Sequence, residues 1–194
     1  MGTAMKENFG PEILMGLLEL HKRADEAPWA LKKHDLPKGK WRRVIDPDEG
    51  AEAFFVIVSR HYVIGIKTGR VLFLDKATGK YLNPIKGFHN LVSGDLKADE
   101  SEMVVLEHGT HFHVISLDTF EVKKRVTLPR TFMATDVYCT YSEDDTRLVI
   151  PVSKYDYDAS GYVYYRCEYE TTGYTLISKT EITREEVDWW TDSK

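Results

Sequence analysis

Two periodicities divide the chain. Ile13, Leu14, Leu17, Leu18 and His21 recur at the three- and four-residue spacing of a helix face. Gly10-Pro11-Glu12 precedes them. Proline suits the first helical position, where its missing N–H costs nothing, and a glutamate suits the positive end of the helix dipole. Asp25 through Pro28 ends the pattern, which predicts a helix over residues 10–24. A helix of about 14 residues is marginal alone in water, so its leucine face must dock on the rest of the chain. Trp29 and Trp41 are placed to anchor a linker between this helix and the strands beyond it.

From residue 53 the period shortens to two. Ala53–Val58, Tyr62–Ile66, Val71–Leu74 and Lys80–Leu82 read as strands, separated by Thr68-Gly69 and by Asp75-Lys76-Ala77-Thr78-Gly79. Each interval is short and holds a residue that tolerates positive φ, so the strands form an antiparallel meander. Similar material returns in Met103–Leu106, Phe112–Ile115 and Val122–Val126. It returns again in Asp136–Tyr141, Arg147–Val152, Tyr162–Tyr169 and Tyr174–Lys179. The comparable turn threonines Thr78, Thr119 and Thr172 lie 41 and then 53 residues apart. Four strands per 40–50 residues is the interval of a propeller blade.

Leu74-Asp75-Lys76-Ala77-Thr78-Gly79-Lys80 resembles the outer hairpins of WD40, YVTN and quinoprotein-type β-propeller blades. In those a strand ends in Asp, a turn with Thr-Gly follows, and a charged residue opens the next strand. Leu117-Asp118-Thr119-Phe120-Glu121 places Phe where the glycine stands, and Tyr169-Glu170-Thr171-Thr172-Gly173-Tyr174 follows loosely. The resemblance covers about residues 53–180 and lacks the Gly-His and Trp-Asp signatures of the WD family. It implies a mainly β fold of curled antiparallel sheets in propeller-blade-like meanders. The chain has room for three blades or slightly more, where closure usually takes four. Thr183-Arg184-Glu185-Glu186 has capping-box spacing and predicts a short C-terminal helix over 183–190. The whole reads as one domain over residues 1–194, with a docking helix, a β region over 53–180 and a terminal helical turn.

Composition narrows the function. Apolar residues make up 42% of the 194 and charged residues 29%, which excludes wholesale disorder and collagen-like polymers. No run reaches the 18 apolar residues of a membrane span. The N-terminus lacks a signal-peptide core, and Cys139 and Cys167 are too few for a secreted disulfide scaffold, so a cytoplasmic location is expected. Residues 1–97 hold 16 Lys and Arg against 12 acids, and residues 98–194 hold 10 against 19. The acidic half repels phosphates, which argues against nucleic acid, and attracts a cationic protein surface.

Candidate chemistry is sparse. His108, His111 and His113 form the one histidine cluster, and in an extended strand His111 and His113 share a face, as two metal ligands must. A small metal-dependent hydrolase or oxygenase using His111 and His113 is therefore the alternative reading. No third ligand stands at family spacing, and no cofactor is expected. Cys139 and Cys167 lie in strand-like runs without a local base, and the Gly-x-Ser-x-Gly elbow is absent.

The segment that stands out is Tyr155–Tyr165, which holds five of the chain's 11 tyrosines. Tyrosine gives large amphipathic contact area at little entropic cost, and flanking acids engage Arg or Lys across an interface. Tyr155, Asp156, Tyr157, Asp158 and Tyr162, with Glu143, Asp144 and Asp145 from the preceding turn, are the expected partner-binding residues. The expected partner is a basic protein. A small acidic chain without catalytic residues is similar, at the level of class, to bacterial immunity proteins. That likeness implies an inhibitor that neutralises a basic, nuclease-like toxin domain by occluding its surface.

Overall fold

The computed structural model describes residues 31–33, 41–45, 53–80, 82–134 and 138–188. Among them the strands form three antiparallel sheets, each in simple chain order. The first holds β1 (Leu31–Lys33), β2 (Trp41–Ile45), β3 (Ala53–Val58), β4 (Tyr62–Lys67), β5 (Arg70–Asp75) and β6 (Ile85–Lys86). The second holds β7 (Leu91–Leu96), β8 (Glu102–Glu107), β9 (His111–Ser116) and β10 (Glu121–Thr127). The third holds β11 (Thr140–Tyr141), β12 (Arg147–Asp156), β13 (Gly161–Glu170) and β14 (Leu176–Ile182), followed by helix α1 (Arg184–Asp188). The segment expected as a linker thus supplies β1 and β2.

The turns follow local chemistry. An acid at the end of a strand accepts the turn's backbone N–H groups, an arrangement that mimics a backbone turn. Asp75 Oδ1 accepts from Ala77 and Thr78 at 2.8 and 3.1 Å. Glu170 accepts from Thr172, Gly173 and Thr175 at 2.8–3.1 Å. Gly79 is left-handed at φ +65°, and Phe120 takes the corresponding place in the β9–β10 turn at φ +55°. A bulky residue is strained there. Its ring is held by edge-on packing against Phe73 and Tyr62, with centroids 5.1 and 5.6 Å away. In the β13–β14 turn the left-handed residue is Tyr174, not Gly173.

These caps predict an acid-labile fold. Backbone hydrogen bonds pull Glu170 down to about 2, and hydrogen bonds from Ser142 and Thr146 pull Asp144 down to about 2. A depressed folded-state value means the caps stabilise fully above the unfolded carboxylate values of 3.8 and 4.5, and lose that contribution as pH falls through about 2. The melting temperature is expected to fall between pH 4.5 and 2, and less steeply in Glu170→Gln. A melting temperature flat over that window contradicts the caps.

The core explains the layering. Along β8, Met103 and Val105 point into one apolar cluster with Phe55, Ile57, Ile64 and Phe73 of the first sheet. The alternate residues Val104 and Leu106 point into a second cluster with Leu148, Ile150, Cys167 and Tyr169 of the third. Every residue of β8 is buried, as in a strand covered on both faces.

The expectation of curled sheets therefore fails. Each sheet runs in linear strand order between two edge strands without closing on itself, and the second sheet has two apolar faces. It buries them by stacking as the middle of three separate, open layers. Of the two expected helices, the C-terminal one falls on described residues. The one helix among the described residues is C-terminal, and the helix expected over 10–24 lies outside them. In α1 the Thr183 N–H donates to Glu186 at 2.7 Å and the Glu186 N–H donates to the Thr183 hydroxyl at 3.3 Å, the reciprocal capping box.

One strand carries no sequence signal. β7 has Ser93-Gly94-Asp95 at its centre, yet all three are buried. Asp95 accepts from the Tyr141 N–H at 2.7 Å, the Thr140 hydroxyl at 3.1 Å and the Leu96 N–H at 2.8 Å. It ties the second sheet to the third. At Gly94 a Cβ would lie 2.5 Å from Val104 O of the neighbouring strand and 2.6 Å from Ile66 Cδ1 of the first sheet, so only glycine fits there.

Candidate partner-binding surface

β12 and β13 have ten residues each, the longest strands described. Their neighbours stop short. β11 pairs only with Leu148 and Val149, and the last pair of β14 is Ile182 with Tyr164. Lys154–Val163, Tyr155–Tyr162 and Asp156–Gly161 therefore form a two-stranded tip beyond the rest of the sheet. Such a ribbon is marginal by itself. Here its base is fixed by Val152, Ile150 and Cys167 in the core.

Strand parity sorts the tyrosines. Tyr155 and Tyr162 are direct cross-strand partners with ring centroids 5.3 Å apart, and Tyr157 packs on Tyr155 at 5.0 Å, both contacts edge-on. Tyr157 is 86% exposed and Tyr162 62%. Tyr165, of opposite parity, faces the core and packs on Phe132 at 5.0 Å. Tyr164 lies under Arg184, whose guanidinium stands 5.3 Å from the ring. Three of the five tyrosines thus form one exposed aromatic cluster. A cleft of about 410 Å³ runs beside it, lined by Met133, Lys154 and Asp158 as well as the three rings.

The acids divide as well. Asp156 Oδ1 accepts from the Asp158 and Ala159 N–H groups at 2.9 and 3.1 Å, and these bonds hold its carboxyl below the usual range. Asp156 builds the turn, and Asp158 stands exposed beside the rings. Glu143, Asp144 and Asp145 are not part of this surface. They occupy the opposite end of β12, roughly 30 Å away at the rise of an extended strand. Asp144 accepts from Ser142 and Thr146, and Asp145 Oδ2 accepts from the Ala98 N–H at 2.6 Å. The Asp144 bonds close its own turn, and the Asp145 bond ties that turn to the β7–β8 turn.

The histidines are brought together less than their spacing suggests. His113 is buried, packs edge-on against Phe88 at 5.0 Å, and sets Nε2 3.2 Å from Glu107 Oε1. Glu107 also accepts from the His89 N–H at 3.0 Å. His111 contacts the Thr110 hydroxyl through Nδ1, and burial with Arg125 nearby holds it below the usual imidazole range. His108 is exposed in the turn before them. Among the described residues no group of three or more His, Cys, Asp and Glu side chains is placed to hold a metal. Both cysteines are buried free thiols, and burial pushes Cys167 up to about 11.

Sequence reasoning missed Glu102, two of whose three partners, Lys123 and Tyr174, lie far along the chain. This buried carboxylate accepts from Lys97 at 2.8 Å, from the Tyr174 hydroxyl at 2.9 Å and from Lys123. Burial opposes its charge, and the bonds from Lys123, Lys97 and Tyr174 outweigh that and keep it below the ordinary range. Tyr174 in turn shares a 2.8 Å hydroxyl contact with Tyr141. The network joins the second and third sheets, as Asp95 does.

No protein-family model matches the sequence, and no curated protein matches it. Solved structures do. Some 78% of the chain matches 48% of a hydrazine synthase chain from Kuenenia stuttgartiensis, with a TM-score of 0.58 and 11% identity. Some 75% matches 16% of the tricorn protease, at 0.54 and 15% identity. The WD40 domain of Neurospora crassa Pan2 gives a weaker likeness, 64% of this chain on 34% of that one at 0.49 and 13% identity. The likeness is one of fold. It is weak and partial, and this chain spans less than half the length of each structure. The class resemblance to immunity proteins draws no support from these comparisons. Among the described residues no helix is long and apolar enough to cross a membrane.

Proposed function

We propose that this chain acts by binding a basic protein, and that the tip of the β12–β13 hairpin is the surface that does so. An inhibitor of the immunity type, covering a toxin domain, is the form of that activity its acidity suggests. The observation that carries the reading is the cluster of Tyr155, Tyr157 and Tyr162, in mutual contact yet largely exposed, on a ribbon whose base is locked in the core. Exposed aromatic groups on a fixed support match the anchors of protein interfaces, which bury large area with little loss of side-chain freedom. Charge agrees. Residues 138–188 hold 11 acids against five Lys and Arg.

The test is capture from an extract of the native host by the intact chain and by the Tyr157→Ala/Tyr162→Ala variant. The wild type is expected to retain a basic protein that the variant loses. With that protein in hand, Tyr157→Ala should cost about 2 kcal/mol or more, roughly thirty-fold, through faster release. Asp158→Lys should instead slow association and weaken its salt dependence. Both variants should keep the wild-type melting temperature, since neither side chain packs in the core. Equal capture by wild type and double variant removes the hairpin tip from the account.

A further inference from the structure

Resting on that reading of the tip, we infer that the cleft beside the tyrosines receives an arginine side chain presented by the basic partner. The wall supplies three tyrosine rings set at steep angles to one another, 75° and 81° about Tyr155. A ring face carries the negative part of its quadrupole and attracts a cation within about 6 Å of the centroid. The charged side chains that line the cleft are Lys154, Asp156 and Asp158, which leave one negative charge to be balanced. One entering cation balances it.

Position assigns the roles. Asp156 Oδ1 is engaged by the turn's N–H groups, so Asp158 is the carboxylate placed to meet the newcomer. Lys154 competes for the same acids, and its strand partner is Val163 on the parity opposite to that of Tyr155 and Tyr162. Arginine suits the site better than lysine. A guanidinium is flat, weakly hydrated, stacks on aromatic faces and meets a carboxylate with two parallel hydrogen bonds. This protein already shows the pairing once, with Arg184 set 5.3 Å from the Tyr164 ring two residues along the same strand face. At about 410 Å³ the cleft exceeds one side chain, so it also takes the partner residues on either side of the arginine. A purely apolar wedge fits less well, because Ser153, Thr131 and the acids line the same walls.

The experiment titrates the full chain, with its tyrosine rings observed by NMR, against three glycine-serine peptides that differ only in a central Arg, Gln or Leu. The arginine peptide is expected to shift the Tyr157 and Tyr162 resonances at concentrations about ten-fold lower than the glutamine peptide. Tyr157→Phe should keep that preference, because the ring remains, and Tyr157→Leu should lose it. Equal shifts from the leucine peptide overturn the arginine inference and leave the tip as a partner surface. Shifts that map away from the tip overturn both. If no peptide shifts the rings but dilution of the protein does, the occupant is a second copy of this chain and the inference is wrong.

Discussion

Asp95→Ala is expected to lower the unfolding free energy by about 3–5 kcal/mol. The carboxylate is 2% exposed and satisfies three donors. Alanine leaves the buried Tyr141 N–H without its carboxylate acceptor and removes the bonds from Leu96 and from Thr140, whose hydroxyl can turn to Tyr141 O at 3.2 Å; a stranded buried group costs about 1–3 kcal/mol. The site also joins two layers. Tyr141 opens the third sheet, and Asp95 holds its backbone against the second. Asp95→Asn keeps an acceptor oxygen at the Tyr141 N–H and should cost less, about 1–2 kcal/mol. Urea denaturation with an unchanged slope measures both. A loss below about 1 kcal/mol for the alanine variant shows that the layers do not depend on this residue.

Gly94→Ala should cost about 3 kcal/mol, unusual for the addition of one methyl group. The new Cβ meets Val104 O at 2.5 Å, and that carbonyl belongs to the backbone of β8, which is buried along its length. Ile66 Cδ1, 2.6 Å away, can rotate aside, but the carbonyl cannot without disturbing both apolar clusters. Gly79→Ala is the contrasting case. At φ +65° with nothing within 4 Å, it meets only backbone strain and should cost about 1 kcal/mol. Similar losses at the two glycines contradict the tight approach of the Val104 carbonyl of β8 to Gly94 of β7.

These two residues also show where sequence reasoning stops. The hairpin turns are legible because their causes are local. A capping side chain ends the strand, and Thr, Gly or a packed aromatic follows within five residues, as at Asp75 and Ser116. β7 is not legible, because Ser93-Gly94-Asp95 breaks the alternation that marks a strand. What makes it one is Tyr141, 46 residues away, and Ile66 in another layer. The curl expected from blade-like meanders fails for the same reason. That β8 is apolar on both faces is visible in Met103–Leu106, but what covers each face is set by tertiary stacking.

The tyrosine segment stands out by density alone; strand parity removes Tyr165, Arg184 covers Tyr164, and Tyr155, Tyr157 and Tyr162 stay exposed. Glu143, Asp144 and Asp145 do not join them. They are close in sequence terms, yet a ten-residue strand carries the two turns to opposite ends of the sheet. His111 and His113 share a strand, as their alternation implies, but His113 is committed to Phe88 and Glu107.

The central claim is that the hairpin tip is where a partner docks. Hydrogen–deuterium exchange on the complex with the captured basic protein tests it most directly, because a two-stranded ribbon without outer neighbours exchanges readily until something covers it. New protection is expected over residues 154–163, with the β11–β12 turn at Glu143–Asp145 unchanged. Protection confined to residues 1–50, or to the turns at the far end of β12, would contradict it.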